Sequence, residues 1–205
     1  MAIELYVDPV LSAGDIGRLR AGDQVVITGE LLTARDAACG RLARALAAGE
    51  PLPVDLRGRI IYAVGPTPAK PGQVIGSAGP TTAARLRPYL EALLSAGMAG
   101  LMGKGDWPEE TADVFRLYGR VYLVALGGAG ALLAKAITAV DVVAYEDLGP
   151  EAIHRLRVER FPAIVAIDAQ GNDLHRQARE EWRRRAGGLA PHRPDMAGAA
   201  PGQGG

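Results

Sequence analysis

Three cations in this sequence stand beside segments that can bring a backbone close to a ligand. The stretch Gly76-Ser77-Ala78-Gly79-Pro80-Thr81-Thr82-Ala83-Ala84-Arg85 passes from glycine and proline through a pair of threonines into an apolar-periodic segment. Leu86, Leu90, Leu93 and Leu94 mark one face of a helix, and Gly97 closes it. Such a loop offers N–H groups to one point, and the helix start adds partial positive charge. Arg85 lies one turn in and reaches back. The pattern suits an anion held next to a hydroxyl, and it suits equally an ordinary capped helix with a surface arginine. Pro88 predicts a kink or a second helical segment.

Arg35 belongs to Thr33-Ala34-Arg35-Asp36, which resembles a capping box with Asp in place of Glu. The helix expected from it passes Leu42, Ala45 and Leu46 and ends at Gly49. A cation in a first turn opposes the helix dipole by up to about 1 kcal/mol. Asp36 offsets part of that; the rest is tolerable for a cation on the surface, and an anion bound there would also explain it. Lys104 stands between Gly103 and Gly105, whose freedom lets the backbone approach a ligand. This is not a P-loop, since Gly105 fills the position that needs a hydroxyl. Two arginines and one lysine suit a dicarboxylate, because guanidinium grips carboxylate through paired bonds. No His–Asp or carboxylate pair completes a catalytic set.

The elements that must position these groups alternate. Strands are expected at Gln24–Gly29, Arg59–Val64, Met98–Met102, Val121–Leu126, Val140–Tyr145 and, after Phe161-Pro162, Ala163–Ile167. Ile3–Val7 is a shorter apolar-alternating piece. Between them fall the helices already described, a helix opened by Pro108 with Val114, Phe115 and Leu117 packed down and Gly119 at its end, a helix Ala131–Ile137, and a short helix beginning near Gly149. Gly65–Gly72 is an extended proline-rich loop. Asp168–Asn172 is a turn into an edge strand near Leu174. This is a mixed α/β domain, and in such sheets ligands gather at the carboxyl ends of strands. Gly127-Gly128-Ala129-Gly130 invites a dinucleotide reading, but Leu133 stands where a third small residue is needed. A small-residue crossing of helix and strand fits as well.

The chain has 205 residues and zero formal net charge, so it can bury one good core and carries no nucleic-acid footprint. With 2 Phe and 2 Trp, that core must come from Leu, Val, Ile and Ala. No apolar run spans a membrane, and the start of the chain lacks a basic-then-apolar leader, so a cytoplasmic protein is expected. The single cysteine, Cys39, excludes a disulfide framework and a cysteine-held metal or iron–sulfur site in this chain alone. His154, His175 and His192 are isolated and are expected at the surface. Residues 1–182 form one domain, and 183–205 read as a disordered tail, basic and then rich in Gly, Pro and Ala.

Thr33-Ala34-Arg35-Asp36-Ala37-Ala38, Gly76–Thr82 with Arg85, Gly103-Lys104-Gly105 and Val121–Gly130 together resemble the β subunit of class I fumarate hydratase and L-tartrate dehydratase. The chain is similar also to the C-terminal domain of the single-chain enzymes. The resemblance runs from about Gly22 to about Leu174. It implies a compact β/β/α domain of the swivelling type and reversible trans-elimination of water from a 2-hydroxy dicarboxylate. It implies a 4Fe-4S cluster acting as Lewis acid, held by the cysteines of an α partner, with a heterotetramer as the family-like assembly. By motif, Arg35 and Arg85 clamp carboxylates, Lys104 adds a third positive contact, and Thr81 is the base. Asp36, Gly79 and Thr82 complete the implied substrate contacts, Thr82 with the alternative role of helix cap. The family's pattern has His near the place of Cys39, a departure that bears on the choice of substrate. Set against this is a dicarboxylate- or nucleotide-binding domain that acts alone.

Overall fold

The computed structural model describes residues 2–186. The strands are β1 (Ile3–Val7), β2 (Gln24–Thr33), β3 (Ile60–Tyr62), β4 (Gly100–Gly103), β5 (Val121–Val124), β6 (Ile137–Ala144) and β7 (Ile153–Ile167). The helices are α1 (Ala13–Arg18), α2 (Asp36–Ala48), α3 (Arg87–Ser95), α4 (Thr111–Tyr118), α5 (Gly130–Ala134) and α6 (Leu174–Ala186). Short 3-10 stretches cover Ala83–Leu86 and Glu146–Glu151.

The sheet runs β1-β2-β3-β4-β5-β7-β6, and an extra β2–β7 pairing closes β2, β3, β4, β5 and β7 into a barrel. Neighbours from β1 through β5 are parallel, while β7 is antiparallel to β2, β5 and β6. Alternating side chains feed two cores. One lies on the inner face, with Val25, Ile27, Tyr62, Met102, Leu123, Leu156 and Phe161. The other joins Ile61, Leu101 and Tyr122 to α2, α3 and α4 through Leu42, Leu90, Leu93 and Phe115. Full burial of each such aliphatic side chain stabilises by about 1.5–3 kcal/mol. Tyr62 meets Phe161 edge to face at 5.4 Å inside the barrel.

Local chemistry explains most boundaries. Gly49 and Gly119 end α2 and α4 in left-handed geometry. Pro88 does start a second segment: the chain makes a 3-10 turn at Ala83–Leu86, and α3 begins at Arg87 with proline in its first turn.

Several expectations need correction. β7 does not begin after Pro162 but runs through it, pairing Pro162 with Val26. Pairing with β6 has ended at Val158 and pairing with β5 starts at Ile164, so a residue without N–H is tolerated between them. The α5 helix stops at Ala134, and Ile137 opens β6. No edge strand forms near Leu174; α6 starts there and continues past Arg183 to Ala186. Leu117 is 78% exposed, because α4 turns Phe115 inward instead. His154 is buried, its ring Nδ1 3.1 Å from the Thr33 hydroxyl. His192 and residues 187–205 of the tail lie outside the described residues.

Candidate active-site rim

Because β2, β3, β4 and β5 run parallel, their carboxyl ends share one rim of the barrel. Arg35 comes two residues after β2, Gly65 three after β3, and Lys104 directly after β4. The glycine turn Gly127–Gly130 follows β5. The loop Gly76–Thr82 is threaded among these ends by backbone bonds. Ala78 donates its N–H to Gly130 O (3.1 Å), Thr81 to Ala63 O (2.7 Å), Lys104 to Thr81 O (3.0 Å) and Ala83 to Lys104 O (3.0 Å). Tyr62, fully buried, donates its hydroxyl to Ala78 O at 2.6 Å. Burial pushes the Tyr62 phenol upward, so it stays a donor.

This wiring changes how the loop handles charge. The N–H groups of Gly76, Ser77, Ala78, Thr81 and Ala83 all serve protein acceptors. The helix expected straight after Thr82 is a four-residue 3-10 turn, and Thr82 makes no side-chain cap bond. Most of the N–H groups expected to form a backbone nest are therefore already engaged, and the positive charge on this rim comes from side chains.

Those cations are held differently. Arg35 occupies the N-cap of α2 in extended geometry, so the capping box is not formed. Thr33 is the last residue of β2, and its hydroxyl accepts the His154 N–H at 2.9 Å. The cap comes from far along the chain: Glu151 accepts the Ala37 N–H at 3.0 Å and pairs with Arg35 at 3.5 Å. The Arg35 guanidinium lies on Gly65, where an added Cβ would stand 2.7 Å from Nη1. Arg85 donates its Nε to Asp36 Oδ1 at 3.2 Å, placing it beside Arg35 although the residues are fifty positions apart. Among the described residues, Arg35 Nε is buried without a hydrogen-bond partner, while Asp36 Oδ2, also buried, faces Arg85 Nη2 at 3.2 Å as an ion pair. Buried polar atoms normally have a hydrogen-bond partner. Lys104 is exposed and, among the described residues, forms no ion pair.

The structure thus links Arg35, Asp36, Arg85, Thr81, Thr82 and Lys104 through direct contacts or adjoining backbone, with Gly79 in the same loop. Gly103 permits the close approach: a Cβ there would lie 2.8 Å from Ala83 Cβ. Gly130 is used for packing against the loop, since a Cβ would meet Ser77 Oγ at 2.4 Å and Gly79 N at 2.8 Å. That leaves no room for a pyrophosphate at this glycine. A cavity of about 600 Å³ lies on the other side of this loop, between the arm Thr67–Ser77 and Ala131–Ile137, and Arg35, Arg85 and Lys104 do not line it.

An iron–sulfur cluster does not fit this chain's own residues. Cys39 is buried and its thiol is pushed up to about 12, by burial first and then by Asp36 and Glu151. A thiol held protonated is not a ligand. Among the described residues no group of three His, Cys, Asp or Glu could hold a metal ion.

A closed sheet with flanking helices, bearing cations where its parallel strands end, defines a mixed α/β barrel domain. Residues 2–178 match the family described as fumarase C-terminus, and the chain belongs to that family. A candidate L(+)-tartrate dehydratase subunit beta of Methanocaldococcus jannaschii is 38% identical over 86% of this chain and 93% of that protein. The anaerobic class I fumarate hydratase of Escherichia coli is 38% identical over 74% of this chain, and fumarate hydratase 1, mitochondrial, of Leishmania major is 39% identical over 74%. The matched segment covers 28% of each of these two proteins. The names of these relatives are those of hydro-lyases.

Sequence reasoning singled out the cations and the threonine loop. It missed Glu151, taken as part of a short helix, and Tyr62, taken as a plain strand residue. Nothing local in the sequence pairs either with its partner.

Proposed function

We propose that this chain is the β-type subunit of an iron–sulfur hydro-lyase that reversibly dehydrates a 2-hydroxy dicarboxylate, malate to fumarate first and tartrate to oxaloacetate second. The observation that carries the proposal is the single rim on which Arg35, Arg85, Lys104 and Thr81 lie, in a chain of the fumarase C-terminus family.

In this proposal Arg35 and Arg85 bind the two carboxylates, each charge-assisted bond contributing about 1.5–3 kcal/mol. The orphaned Arg35 Nε supports that role, since a ligand oxygen would give it an acceptor. Lys104 adds positive charge without an internal acid to neutralise it. Thr81 takes the proton from the carbon next to the carbinol. The C–H pair becomes the double bond as hydroxide leaves from the opposite face. A threonine is a weak base, so the adjacent cations, whose pull strengthens where water is excluded, must lower its pKa by more than its own desolvation raises it. Asp36 holds Arg85 in reach, and Thr82 and Gly79 shape the loop.

The partner chain carries the 4Fe-4S cluster, which when bound supplies the Lewis acid for the departing hydroxide. The rim described here is then half of a site. The assembly is a heterotetramer, and the compartment is the cytoplasm. Among the described residues no helix is long and apolar enough to cross a membrane.

The test is co-expression with the α-type partner and anaerobic purification. Malate, tartrate or mesaconate should turn over in the complex and not with this chain alone. A complex with a full cluster that leaves all three acids inert would sink the substrate assignment.

A further inference from the structure

We infer that Glu151 is the positioning residue for Arg35, an inference that rests on the carboxylate-binding role proposed for that arginine. Glu151 ends the 3-10 stretch between β6 and β7 and is 114 positions from Ala37. Its two carboxylate oxygens have separate tasks. Oε2 accepts the Ala37 N–H at 3.0 Å, and Oε1 faces the Arg35 guanidinium at 3.5 Å. The first contact replaces the cap that Arg35, sitting at the N-cap with no acceptor, cannot provide. The second sets the direction of the guanidinium.

The remaining walls agree. Gly65 leaves room for Arg35, and the Pro150 carbonyl stands 3.2 Å from where a Gly65 Cβ would be. Among the described residues, Arg35 Nε has no hydrogen-bond partner. The 3-10 stretch that ends at Glu151 makes a separate contact with α2, away from Arg35. Asp147, on the same 3-10 stretch, accepts both terminal nitrogens of Arg41 from α2 at 2.8 and 2.5 Å. Arg41 also lies over the Tyr145 ring, 5.2 Å from its centre. The segment Tyr145–Glu151 is thus clasped to α2 at two points, and one of them is the arginine on the rim. A fork of fixed direction loses less freedom when it grips a carboxylate. Glu151 therefore acts on the substrate through Arg35 and does not touch it.

The experiment uses the complex of this chain with its partner and its dicarboxylate substrate. Glu151→Gln keeps the shape and an oxygen for the Ala37 cap but removes the charge facing Arg35. KM should rise about tenfold with kcat within about threefold, the signature of lost uniform binding. Asp147→Asn breaks the other clasp and should leave KM within about twofold. A second measurement needs no turnover: modification of Arg35 by phenylglyoxal, mapped by mass spectrometry, should speed up in Glu151→Gln and not in Asp147→Asn. Equal KM and equal Arg35 reactivity in Glu151→Gln and the parent overturn the inference, as does an Asp147→Asn effect of the same size. Arg35→Ala separates the two levels. If it leaves KM unchanged, the carboxylate-binding role itself fails. If it raises KM while Glu151→Gln does nothing, the positioning role alone fails. Should the Gln variant not assemble with its partner, Glu151→Asp and the reactivity of Arg35 in the isolated chain decide.

Discussion

The Tyr62 hydroxyl donates to the Ala78 carbonyl at 2.6 Å, tying the inside of the barrel to the middle of the threonine loop. Both residues are fully buried. The bond fixes the height of the loop above the strand ends, and with it the positions of Thr81 and Arg85. Replacing Tyr62 by Phe leaves a buried carbonyl unpaired, which costs about 1–3 kcal/mol. Urea denaturation of Tyr62→Phe should show that loss. An unchanged midpoint would mean that the loop is held by its backbone bonds alone.

Arg85→Ala should separate function from folding. The Arg85 side chain is 56% exposed while Asp36 is half-buried, so the fold should lose about 1 kcal/mol. In the assembled enzyme, kcat/KM should fall at least about 100-fold, equivalent to roughly 2.7 kcal/mol of transition-state binding. Arg85→Lys keeps the charge without the fork and should fall between. Full turnover in Arg85→Ala would remove this residue from the site.

Gly130→Ala should destabilise by about 1–3 kcal/mol, because the new methyl meets backbone of Gly79 as well as Ser77 Oγ. Gly17→Ala is the matched control. It lies in α1 with no atom within 4 Å of the added carbon, and it should be neutral or stabilise by up to about 1 kcal/mol. Thermal melting of the pair gives the comparison. Equal shifts would show that the loop yields to the methyl.

Cys39 sets an alkaline limit on stability. In the unfolded chain its thiol ionises around 9.0, whereas burial lets it keep its proton to about 12 in the fold. Between these values the unfolded state binds fewer protons, so stability falls as pH rises, with a slope of at most about 1.4 kcal/mol per pH unit. Tyr62 and Tyr122, raised by burial, add a fall in the same direction. Denaturation series from pH 8 to 11 on the parent and on Cys39→Ala should diverge above pH 9. The folded parent should also resist thiol reagents at pH 8. Parallel curves would show that the thiol ionises inside the fold.

Local patterns in the sequence carried the strands, the helix ends at Gly49 and Gly119, and the break at Pro88. They also carried the identities of the rim cations, because arginine and lysine beside glycine are visible without a third dimension. What they could not carry was closure. Nothing around Glu151 announces that it will cap α2, and nothing around Thr33 announces that its hydroxyl belongs to His154 rather than to its own helix. Pro162 misled for a related reason. A proline reads as a strand boundary until one knows that its neighbours on one side have already parted from it. The threonine loop looked like a backbone nest because composition reveals glycines but not which carbonyls their neighbours have already engaged.

At one end of the pairing of β2 with β7, Thr33 meets His154, 121 positions away in the chain. Contacts of such separation form late and at high entropic cost. Arg35 and Glu151 meet where that seam ends. A chain that has assembled its local helices and parallel strands but has not sealed the seam therefore lacks, in one stroke, the acid that faces Arg35 and the cap on the Ala37 N–H.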